Sequence, residues 1–215
     1  MASALRWQLK FTTIFMDKPA SNINLALKLT VFRVVLIPVF LLVYFMDFLG
    51  SNWVALGIFS VASATDFFDG YVARRYQQLS QLGALLDPVA DKLLIVVVLI
   101  ALIARHAEGF EGIFMMLCGI VIIGREIVIS ALREFMAGLG IRSAVAVKYL
   151  GKVKTTVQIF ALGFLIVYDK IWFIPSREIG WGLLFLAAVL AVWSMVDYLQ
   201  SARRAIDKED IDVYR

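Results

Sequence analysis

Four aspartates, Asp66, Asp69, Asp87 and Asp91, sit in stretches of sequence that are otherwise apolar. Ionisable groups in such stretches are costly and usually functional. On a helix, Asp66, Asp69, Gly70, Ala73 and Arg74 fall within one arc of about 140°. Gly83, Asp87 and Asp91 fall within an arc of about 80° on the helix that follows. Each arc sets carboxylates beside positions with little or no side chain, which leaves room for a ligand against backbone. The short 75–82 link makes the two helices antiparallel neighbours, so the arcs can face each other. Carboxylates gathered in a low-dielectric setting repel one another unless a cation neutralises them. Oxygen donors without His or Cys nearby favour a hard ion such as Mg²⁺ or Mn²⁺. Magnesium is commonly shared with phosphate oxygens, which points to a phosphate or diphosphate substrate.

Neither salt bridging nor ion conduction accounts for the acids as well. Buried salt bridges would need more cations than Arg74, Lys92 and Arg125 supply. A proton or ion pathway, as in a cation-coupled transporter, explains acids but not the adjoining glycines, and neither a repeat nor broken helices are visible.

The elements that must position these residues follow from composition. The 215 residues are 61% hydrophobic and 18% charged, and a chain of this size cannot hide so much apolar surface in one core. The excess must face lipid. Six stretches approach the 20 or so apolar residues that cross a bilayer: 29–48, 53–76, 83–104, 113–137, 151–173 and 179–199. The expected fold is an all-α integral membrane protein of six transmembrane helices. Most of the 21 Lys and Arg cluster at one set of ends, which puts both termini in the cytoplasm. Residues 1–21 read as an extension, either an amphipathic interfacial helix over 3–16 or a partly ordered tail. The membrane domain spans 22–205, and 206–215 form a polar tail. Cys118 is the only cysteine, so no internal disulfide forms. The net charge of +4 is accounted for by the membrane, and nothing suggests nucleic-acid binding.

The segment Asp66-Phe-Phe-Asp69-Gly70-Tyr-Val-Ala73-Arg74, followed by Gly83-Ala-Leu-Leu-Asp87-Pro-Val-Ala-Asp91, resembles the signature of the CDP-alcohol phosphotransferase family at every fixed position. Thr30, Arg33 and Pro38, with Gly124-Arg125-Glu126, Leu132-Arg133-Glu134 and Gly151-Lys152-Val-Lys154-Thr155, are similar to a bacterial branch of it. Ala26 and Leu27 stand where that branch shows Pro and a polar residue. The resemblance implies a homodimer in the bacterial inner membrane, with its site open to the cytoplasm. It implies two divalent cations on Asp66, Asp69 and Asp87, with Asp91 at the second metal and acting as base. The nucleotide would lie against Gly70, Ala73, Arg74 and Gly83. Substrates would be CDP-diacylglycerol and sn-glycerol 3-phosphate, the rivals being inositol phosphate or serine as acceptor. A prenyltransferase also places aspartates and Mg²⁺ on a diphosphate, but lacks the Gly-x-x-Ala-Arg tail.

A dianionic acceptor needs cations. Arg125, Arg133 and Lys152 are the leading candidates, with Arg142, Lys148 and Lys154 behind them. Glu126 and Glu134 would orient the arginines. His106 is expected in a solvated outer loop, and Asp197 beside Arg203 or Arg204.

Overall fold

The structure is a computed structural model that describes residues 25–46, 48–76, 81–106, 108–139, 141, 149–168 and 173–213. The expected helix over 3–16, and the loop cations Arg142, Lys148 and Lys170, lie outside them. Six helices follow in order: α1 (Leu25–Phe45), α2 (Ser51–Tyr76), α3 (Gln81–Arg105), α4 (Gly109–Gly138), α5 (Tyr149–Val167) and α6 (Ser176–Val213). Among the described residues, the windows Lys28–Phe45, Gly109–Gly138 and Ser176–Asp207 are long and apolar enough to cross a membrane. The molecule is helical as an integral membrane protein requires, because lipid leaves no other partner for the backbone.

Helix periodicity decides which side chains turn inward. On α4 the buried stripe is Met115, Cys118, Ile122, Arg125, Ile129 and Met136. Ile113, Leu117, Ile120, Ile127 and Phe135 form the opposite, exposed face. Arg125 is therefore carried into the bundle by the same spacing that buries Ile122 and Ile129. The main core joins residues from every helix, from Phe40 and Tyr44 through Phe59, Leu94, Ile122 and Leu162 to Ala187. A second, smaller cluster of Ile129, Met136, Tyr198 and Ala202 closes α4 against α6.

At one end of the bundle all six helices meet. The end of α3 is tied to the end of α1, where Arg105 donates to the Tyr44 carbonyl and lies 4.7 Å over its ring. Asn52 at the start of α2 donates to the Val167 carbonyl, where α5 ends, at 3.2 Å. Tyr168 donates to Glu111 at the start of α4, and Glu111 pairs with Arg177 at the start of α6 at 3.6 Å. Helices α1, α3 and α5 therefore finish where α2, α4 and α6 begin, in an up-and-down arrangement. Gly50, at φ 88° in the α1–α2 turn, takes a left-handed conformation that a side chain would strain.

Several expectations change. Helix α5 stops at Val167 rather than near Phe173, because Tyr168 adopts a left-handed φ of 61° and its hydroxyl is spent on Glu111. Helix α6 runs past Leu199 to Val213, since the Ala, Arg, Lys and Glu there are good helix formers and no glycine or proline interrupts them. His106 is not free in a solvated loop. Its ring stacks on Tyr168 with centroids 3.8 Å apart. Arg203 pairs with Asp207, one turn further along α6, at 3.9 Å.

Candidate active site in one half of the bundle

The up-and-down order sorts the chemistry. Asp66, Asp69, Gly70, Ala73 and Arg74 lie in the second half of α2, and Gly83, Asp87 and Asp91 in the first half of α3. Both segments are continuous helix, so each aspartate pair is separated by about one turn. Arg125 and Arg133 lie in the second half of α4, and Lys152 and Lys154 at the start of α5. All belong to the half away from the Arg105–Glu111–Arg177 end. The side chains of the four aspartates, of Arg74 and of Lys152 lie outside the described part of the structure. The donor chemistry still suits a divalent cation, with oxygen ligands at helical spacing on consecutive helices.

In the same half lies a partly buried polar network that spans four helices. Arg125, 6% exposed, donates through Nη1 to Glu126 at 2.9 Å and through Nη2 to Ser194 at 3.2 Å. Glu126 also takes the Nζ of Lys154, whose side chain is 1% exposed. Arg133 donates to the Tyr198 hydroxyl at 3.1 Å. Lys92, next to Asp91, donates to Ser130, and Ser130 donates to the Glu126 carbonyl at 2.7 Å. Helix α3 is thus fastened to α4, α4 to α5, and α4 to α6 within this half. Thr30 and Arg33 on α1 are fully buried.

The structure brings Arg125, Arg133 and Lys154 into one network. It also adds members that no spacing rule singled out: Ser130, Ser194 and Tyr198. Ser194 and Tyr198 are one turn apart in an apolar helix, and that pair of polar groups inside a span was the available signal. Arg125 and Lys154 share one carboxylate, Glu126. Such a group of guanidinium and ammonium donors is suited to a phosphate. A cleft of about 540 Å³ lined by Phe48, Asn52, Trp53, Arg105 and Val167 lies at the opposite end of the bundle, away from the acids.

Helical aspartates interleaved with small residues, an apolar bundle and a set of buried cations in the same half are features that suit a membrane enzyme handling phosphate esters. The chain belongs to the CDP-alcohol phosphatidyltransferase family, whose model matches residues 23–193. Relatives carry a more specific name. The CDP-diacylglycerol–glycerol-3-phosphate 3-phosphatidyltransferases of Shigella flexneri serotype 5b (strain 8401) and Escherichia coli (strain K12) are 47% identical to it over 180 residues. The match covers 84% of this chain and 95% of each relative.

Proposed function

We propose that this protein transfers the phosphatidyl group of CDP-diacylglycerol to the 1-hydroxyl of sn-glycerol 3-phosphate, releasing CMP. The observation that carries the reading is 47% identity, across 84% of the chain, to proteins named for this reaction. The hydroxyl oxygen forms a bond to the phosphatidyl phosphorus, the diphosphate bond breaks, and CMP leaves with the bonding electrons. Asp91 takes the hydroxyl proton, which needs hydrogen-bond reach rather than an extreme pKa. Gly70, Ala73 and Gly83 give the nucleotide a close approach to backbone, and Arg74 offers a planar fork to its phosphate. Arg125, Arg133 and Lys152 hold the acceptor phosphate, with Lys154 and Glu126 setting the charge around them.

Asp66, Asp69, Asp87 and Asp91 are suited to holding two divalent cations, Mg²⁺ or Mn²⁺. When bound, these would offset the charge that builds on the diphosphate. We take all six helices as spans, reading α2 and α3 as apolar runs that carry the aspartates and α5, apolar over Val153–Val167, as a short one. Both termini are then cytoplasmic by the bias of Lys and Arg. The site opens to the inner leaflet of a bacterial cytoplasmic membrane, where lipid and soluble substrates meet, and the chain works as a homodimer.

Purified protein supplied with CDP-diacylglycerol and Mg²⁺ should release CMP with glycerol 3-phosphate, and not with serine or inositol phosphate. Release with one of those two and none with glycerol 3-phosphate would overturn the acceptor assignment.

A further inference from the structure

Tyr198 stands between the two arginines of α4. Its ring centroid is 5.9 Å from the Arg125 Cζ and 5.3 Å from the Arg133 Cζ, and its hydroxyl accepts from Arg133. The residue is 1% exposed and packs with Ile129, Met136 and Ala202. Ser194, one turn earlier on the same helix, accepts from Arg125. We infer that Tyr198 is a positioning residue that sets the separation and side-chain conformation of Arg125 and Arg133, and through them the affinity for a phosphate-bearing acceptor. This rests on the reading of those arginines as acceptor contacts.

The physical case has three parts. Two guanidinium groups so placed repel each other, and an aromatic ring near both presents them with electron density without a full charge. An arginine left to itself samples many rotamers, and ordering it on binding costs affinity. A partner that orders it beforehand removes that cost. Packing alone does not call for tyrosine here, because Leu or Phe would fill the space beside Ile129 and Met136. A buried hydroxyl is favourable only when bonded, and this one is bonded to an arginine.

The test uses the full chain in detergent with CDP-diacylglycerol, following CMP release against glycerol 3-phosphate concentration. Tyr198→Phe keeps the ring and removes the hydroxyl. It should raise the KM for glycerol 3-phosphate about tenfold, the scale of one hydrogen bond to a charged group. The kcat and the KM for CDP-diacylglycerol should stay unchanged. Tyr198→Leu removes the ring as well and should raise the acceptor KM further. If Tyr198→Leu fails to fold, the near-isosteric Phe variant decides alone. An unchanged acceptor KM in Tyr198→Phe, or a fall in kcat together with a rise in both KM values, overturns the inference. Arg133→Gln separates this from the reading beneath it. Should Arg133→Gln leave the acceptor KM unchanged, the arginine assignment itself fails. Should it raise that KM while Tyr198→Phe does not, only the role of Tyr198 falls.

Discussion

Glu126 takes hydrogen bonds from two buried cations, Arg125 Nη1 at 2.9 Å and Lys154 Nζ, whose side chains are 6% and 1% exposed. Replacing it with Gln keeps an oxygen acceptor but removes the charge that both cations face. A unit pair at about 4 Å under an effective dielectric near 20 is worth about 4 kcal/mol. The Glu126 side chain is 25% exposed, so water screens part of this. The retained acceptor recovers part of the bonding, and the expected loss of stability is about 2–3 kcal/mol. Lys154→Met removes the more deeply buried of the two cations together with its desolvation cost, while Glu126 keeps Arg125. That variant should lose about 1 kcal/mol or less. The double variant should then be more stable than Glu126→Gln alone, because the orphaned lysine is gone. Equilibrium unfolding in mixed detergent micelles, followed by far-ultraviolet circular dichroism, gives all three values. Single effects that add in the double variant to within about 0.5 kcal/mol would refute the shared-carboxylate account.

Three further outcomes are expected. Asp91→Asn should lower CMP release by about a hundredfold or more, the scale of a lost general base, while nucleotide binding and folding persist in calorimetry. Stripping divalent cations with a chelator should abolish turnover, and adding Mg²⁺ or Mn²⁺ should restore it; full activity in a chelated sample would remove the metal from the reading. A Cβ on Gly180 would stand 2.8 Å from Leu165 Cγ and 3.2 Å from its backbone nitrogen, whereas Gly182 has open space. Gly180→Ala should therefore cost about 1–3 kcal/mol by prying α5 from α6, and Gly182→Ala should cost nothing in the same melting assay.

The parts of this molecule that rest on local spacing could be read from the sequence. Asp66 and Asp69, or Asp87 and Asp91, share a face by helical period alone, and the apolar runs mark where helices lie. Arg125 stood out because a cation in an apolar run must have a purpose. Partner choice did not show, because it is long-range. Nothing local to Arg133 selects Tyr198, and nothing near Glu111 selects Tyr168 or Arg177. Helix ends were misjudged for related reasons. Apolar residues resume at Ile171 beyond Asp169 and Lys170, but the helix has already ended where Tyr168 turns left-handed and bonds Glu111. Along α6, hydropathy falls after Leu199 while helix propensity does not.

The pairing of α4 with α6 bears on how the chain is made. Ser194 and Tyr198 lie 69 and 65 residues beyond Arg125 and Arg133. A ribosome adding about 5–20 residues per second needs several seconds to supply them. An arginine at the centre of an inserting helix is disfavoured by about 2.5–3.5 kcal/mol on translocon scales. Arg125 is synthesised together with its own counter-charge, Glu126, and the Lys154 that shares it follows 28 residues later. Arg133 must wait for its tyrosine until α6 emerges. Helix α6 is thus the one that lets α4 settle, and this half of the bundle closes only after Tyr198 has been made.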